Sequence, residues 1–84
     1  MKKLDQFVIV DTETGKFYQG ETEFIPWISN AFTDSLRYAE WWGGKEEAQS
    51  VLSWMEEVKT EFDGNTPLKK GRLVVMQITL TPVE

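Results

Sequence analysis

The chain contains no histidine and no cysteine, so its chemistry has to come from carboxylates, lysines, arginines and hydroxyls. That removes thiolate or imidazole zinc sites, cysteine proteases and Ser-His-Asp hydrolases, and leaves no disulfide scaffold. Asp11 and Glu13 lie at a turn sequence where a cation could be held. A calcium loop needs more oxygen ligands at set spacing, and local turn chemistry accounts for Asp11 better. Glu46, Glu47, Glu56, Glu57 and Glu61 could supply paired carboxylates for acid–base work. They fall on or near the solvent side of one helix, where exposed acids catalyse little. Gly15-Lys16 and Gly43-Gly44-Lys45 lack the spacing of a phosphate loop. The reading is therefore of a protein that is not an enzyme, with no catalytic residue, no metal ligand and no cofactor.

Lys69, Lys70 and Arg72 form one small basic cluster, against a formal charge of −5 from 14 acids and 9 bases. Nucleic-acid binding wants a basic surface, so direct binding to DNA or RNA is not expected. Loop solubility explains the cluster. The 84 residues allow one domain, 1–84. An aromatic share of 13 %, with four tryptophans, argues against disorder. No apolar stretch approaches the roughly 20 residues that span a bilayer, and the first residues lack a signal-peptide core. The expectation is a cytoplasmic protein with no membrane contact.

The elements that would position these residues can be read in order. Gln6 to Asp11 is a β-branched strand, and Thr12 to Gly15 turns it into Lys16 to Gln19 as a hairpin, with Gly15 suited to positive φ. Gly20 to Asn30 reads as a short strand or irregular segment, since Pro26 forbids a central strand. Thr33 or Asp34 can cap a short helix over Ser35 to Glu40, with Leu36 and Ala39 inward and Trp41-Trp42 extended after it. From Lys45 to Phe62, the residues Ala48, Val51, Leu52, Met55, Val58 and Phe62 form an amphipathic stripe, with Trp54 on its flank. Asp63-Gly64-Asn65 would stop this helix and Pro67 prevent its restart. Arg72 to Thr81 is the last strand, with Val74, Met76, Ile78 and Leu80 read as the packed face and the partly polar set as the wetter one. The fold class is α+β: a small antiparallel sheet, made of the N-terminal hairpin and the C-terminal strand, covered on one face by one short and one long helix.

The hairpin Phe7-Val8-Ile9-Val10-Asp11…Gly15-Lys16-Phe17-Tyr18, the run Phe32-Thr33-Asp34-Ser35-Leu36-Arg37-Tyr38-Ala39, Trp41 and Lys45-Glu46-Glu47-Ala48 together resemble small proteins of Gram-positive phages and prophages. The resemblance covers most of the chain and rests on caps and core positions. The chain departs from it in Gly43-Gly44, where a Ser or Thr cap is usual, and in the second tryptophan. The resemblance implies a phage accessory protein, with anti-CRISPR and other host-defence inhibitors as the analogous class. It carries over no catalytic residue.

Two features point to binding. Acids on the helix, including Glu46, Glu57 and Glu61, together with Asp5, Asp11, Glu13, Glu21 and Glu23, could face a basic groove such as that of a nucleic-acid enzyme. The competing explanation is that −5 merely keeps a small domain soluble. Trp27, Tyr38, Trp41 and Trp42 could anchor an interface beside Arg37, or could all serve a thin core. The preferred expectation is a protein that binds and inhibits or modulates a host or defence protein. The alternative is an assembly protein that self-associates through a sheet edge or a Trp patch, and either a monomer or a homodimer fits.

Overall fold

The β-branched run near the start of the chain has no polar side to turn to solvent at Val8-Ile9-Val10, and it becomes the inner strand of the sheet. The computed structural model describes residues 4–20 and 26–83, without the side chains of Ser29 and Asn30. Strand β1 (Leu4–Asp11) pairs antiparallel with β4 (Leu73–Leu80) over its full length, from Leu4 opposite Leu80 to Asp11 opposite Leu73. On its other side lies the short β2 (Phe17–Tyr18), with Val10 opposite Phe17. A further short strand, β3 (Phe32–Thr33), pairs with β2, giving the antiparallel order β3-β2-β1-β4. The sheet is thus the expected hairpin and closing strand plus one strand not read from the sequence. Two residues are too few for a period-2 pattern to be visible.

The hairpin turn is built as its residues suggest. Gly15 has φ 74°, and its N–H donates to the Asp11 carbonyl at 2.8 Å. Past the end of β2, Trp42 takes over the same side of β1. Its N–H donates to the Phe7 carbonyl at 2.9 Å, and the Phe7 N–H donates back at 2.8 Å. Trp42 therefore lies extended against the sheet, and its ring stacks on Tyr18 at 6.1 Å.

Helix α1 (Lys45–Val58) packs Leu52 and Met55 onto Ile9, Tyr18, Phe32, Leu73 and Val75, with Ile28, Ala31 and Leu68 closing the cluster. The helix stops four residues short of Phe62, because Lys59 adopts extended φ/ψ of −90° and 154°. Thr60 then makes β-bridges to Trp27 and Pro67, so tertiary pairing replaces another helical turn. Asp63-Gly64-Asn65 accordingly shapes a surface loop and does not end the helix: the Asp63 carboxylate accepts from the Asn65 and Thr66 N–H groups and the Thr66 hydroxyl.

Two further expectations are corrected. The short helix over Ser35 to Glu40 is a single 3-10 turn, Leu36–Tyr38, and neither Thr33 nor Asp34 caps it. The Thr33 hydroxyl instead accepts from the Ser35 N–H at 3.2 Å. A second 3-10 turn, Ile28–Ala31, stands where the irregular segment was read, while Phe24 and Ile25 lie outside the described residues. The faces of β4 are also reversed. Leu73 and Val75 join the core, whereas Met76 and Leu80 are exposed. On the core-side face only Leu73 and Val75 belong to the packed cluster, and Gln77 and Thr79 further along the strand are exposed. The sheet is also covered on more than one side near this end, since Val8 and Val10 on the reverse face are buried as well.

The end of α1 at Val58 separates two apolar residues of the stripe. Met55 is wholly buried and Phe62 is 72 % exposed. Met55→Ala is expected to destabilise the protein by about 2–5 kcal/mol and Phe62→Ala by no more than about 0.5 kcal/mol in urea denaturation. Equal losses would contradict this helix boundary.

Candidate functional site

The carboxylates divide into an inward group and an outward group. The inward group converges on Arg72, which the sequence places in a basic cluster with Lys69 and Lys70. The structure separates them: both lysines are exposed, and the Arg72 side chain is only 10 % exposed. Its Nε and Nη2 donate to the two oxygens of Asp11 at 3.0 and 3.1 Å, a bidentate pair. Its Nη1 donates to Glu61 at 2.9 Å and lies 3.8 Å from Glu13. The Arg72 carbonyl also accepts from the Thr12 N–H and hydroxyl at 2.8 and 2.7 Å. One residue thereby fastens the hairpin turn, the loop after α1 and the start of β4.

Burial alone would push the Asp11 carboxyl up. Hydrogen bonds from Arg72, the Glu13 N–H and the Thr14 hydroxyl, with the guanidinium charge, outweigh that and hold it below the ordinary 3.8. These ligands leave the Asp11 carboxylate fully used by the protein. Glu61, expected at a partner surface, is likewise engaged inside the clamp. Among the described residues, no group of three or more acids is arranged to hold a metal ion.

The outward group lies on α1. Glu46, Ser50, Ser53, Trp54 and Glu57 follow helical spacing and, with Gln49, line one open groove on its solvent face. The two serines are small and exposed, and Trp54 beside them has 43 % of its surface exposed. Glu46 and Glu47 sit in the first turn, where the helix dipole favours acids. Glu56 and Glu57 sit near the opposite end, with no basic residue in the last turn. There the dipole opposes them, which costs about 0.3–1 kcal/mol for each exposed acid at low salt.

The aromatic residues expected at an interface do not gather at this groove. Trp42 packs against the core, and Trp41 is half-buried with its indole N–H donating to the Leu36 carbonyl at 3.1 Å. Trp27 is partly exposed beside Gly64 in the loop after α1. Tyr38 is exposed, with the Arg37 guanidinium 5.7 Å from its ring centre. Of the expected residues, Glu46 and Glu57 line the same groove, three turns and about 16 Å apart along α1, with Trp54 between them. The sequence places Trp54 only on the flank of the stripe, and the Ser50/Ser53 pair carries no signal until the helix phase is fixed by Leu52 and Met55.

No protein-family model, curated protein or solved structure matches this chain. Among the described residues no helix is long and apolar enough to cross a membrane.

The lowered pKa of Asp11 makes stability depend on acid pH. Its folded value lies below the unfolded 3.8, so its contribution is complete above that pH and is lost as the pH falls through the folded value. The urea midpoint should hold steady between about pH 7 and 5 and fall below about pH 4. Asp11→Asn should lower it at neutral pH and flatten the acid limb. An Asp11→Asn variant with undiminished acid sensitivity would show that the clamp is not the titrating element.

Proposed function

We propose that this is a non-enzymatic accessory protein that docks the outer face of α1 on a basic protein surface and thereby inhibits or modulates its partner. The observation that carries the reading is exposed Trp54 lying between Glu46 and Glu57 in one groove, beside two small exposed serines. An aromatic anchor beside small residues lets a partner side chain approach the helix closely, and flanking acids steer and orient a cationic groove. From Glu46 to Val58 the helix carries four acids and no base. Two of those acids work against the helix dipole, and such local conflicts are expected where binding has been favoured over stability. The motif resemblance to phage accessory proteins supports the same class of role, with a host or defence protein as target. A nucleic-acid enzyme has the kind of groove this face would suit, since carboxylates can occupy phosphate positions.

Glu57→Lys is expected to raise the unfolding free energy measured by urea denaturation by about 0.3–1 kcal/mol, because it puts a cation at the negative end of α1. The same change, and Trp54→Ala, should each remove the partner recovered by affinity capture from host extract, while Tyr38→Ala leaves it in place. Trp42→Ala is unsuited to this test because it would report on the core. Capture retained in full by both α1 variants would overturn the assignment.

A further inference from the structure

Strand β4 closes one side of the sheet, and among the described residues no strand lies beyond it. Which of its groups are left outward follows from the ladder. Phe7 exchanges both backbone bonds with Trp42, on the side of β1 away from β4. Bonding sides alternate along an antiparallel strand, so Gln77, opposite Phe7, turns its own N–H and C=O away from β1. Leu73, Val75 and Thr79 do the same. Among the described residues, no backbone hydrogen bond outside the sheet's own ladders reaches residues 73–80.

Sheet edges of this kind are normally guarded. The opposite edge ends in β3, which is only two residues long, and the free end of β1 carries Asp5. Leu73–Leu80 has no guard: it contains no charge and no proline, and all eight residues pair with β1 without a bulge. Its reverse face is apolar, half-buried at Val74 and Ile78 and exposed at Met76 (51 %) and Leu80 (46 %), with Leu4 beside Leu80 56 % exposed.

We propose that this edge pairs with the same edge of a second copy of the chain, antiparallel about a two-fold axis at Gln77. The geometry restricts the register, because each outward-bonding residue must face another outward-bonding residue. Centring on Gln77 sets Val75 opposite Thr79 in the bonded rows. On the reverse face it sets Met76 opposite Ile78, and Val74 opposite Leu80. Centring on Met76 would instead put Leu80 against Arg72, which the clamp already holds. Charge permits the pairing: each copy carries −5, but residues 73–83 carry no charge at all. The contact is isologous and joins two four-stranded sheets into one. It leaves the outer face of α1 free, so it stands or falls independently of the proposed docking face.

The chain's lack of cysteine makes the register directly testable. Sedimentation equilibrium of the native chain should reach twice 9.7 kDa at the upper end of a range up to about 1 mM, a micromolar association. Gln77→Pro removes an outward N–H without touching the bonds to β1, and Met76→Lys places like charges near the seam. Both should give monomers, with an unchanged far-ultraviolet circular dichroism spectrum. In the proposed register, two copies of residue 77 stand about 5.5 Å apart, within disulfide range, and two copies of residue 81 about 27 Å apart. Mild oxidation should therefore cross-link Gln77→Cys and spare Thr81→Cys. A native chain that stays monomeric to about 1 mM would overturn the proposal. So would a dimer that survives in both edge variants, or cross-linking that is equal at the two positions.

Discussion

The fold depends on one guanidinium. Arg72 is held between the carboxylates of Asp11 and Glu61, and the three segments it touches are otherwise far apart in sequence. The Asp11 carboxylate is almost fully buried, so without its partner it would be a desolvated charge in a thin domain. With that partner, the direction of the hairpin, the exit of the chain from α1 and the first residue of β4 are fixed together. Beside this point the apolar cluster begins: Leu73 follows Arg72, and Ile9 sits two residues before Asp11 on the same face of β1. A polar anchor placed at the rim of a small core gives register to a sheet whose own strands β2 and β3 are too short to define it.

This arrangement divides the acids into two kinds. Asp11 and Glu61 are used inside the protein, and Glu13 supports them from the turn. The acids of α1 do nothing comparable for the fold. Helix α1 is held by Ala48, Leu52 and Met55, which face the sheet, while its outer face can vary without disturbing them. The C-terminal turn of α1 even tolerates Glu56 and Glu57 against the dipole, because the burial of Leu52 and Met55 outweighs a loss of that size. A surface that stability does not require is one that binding is free to shape. The sheet shows a similar contrast between its edges, one ending in a strand of two residues, the other long, regular and uncharged.

How much of this was legible in the residues depended on how local the cause was. The hairpin was readable because Gly15 and Asp11 make their turn within five residues. The position of α1 and its inward stripe were readable from 3.6-residue spacing. Its end was not, because Thr60 leaves the helix to pair with Trp27 and Pro67, contacts that no local propensity records. The short helix at Ser35 was over-read for a related reason: the Thr33 hydroxyl that would have capped it serves an earlier turn. The faces of β4 were misassigned because its more apolar set is not its core set. Of the candidate site, Glu46 and Glu57 were visible from helix phase, and Trp54 needed the phase to be fixed first. Arg72 was hidden within a basic run, since sequence alone does not show which of three neighbouring cations turns inward.

The most direct test of this account is a double-mutant cycle on Asp11→Ala and Arg72→Ala, read by urea denaturation at neutral pH. If one guanidinium organises the fold, the two losses will be strongly non-additive, with a coupling of about 2–3 kcal/mol. A coupling below about 0.5 kcal/mol would mean that the two residues act independently, and would contradict the central role given to the pair.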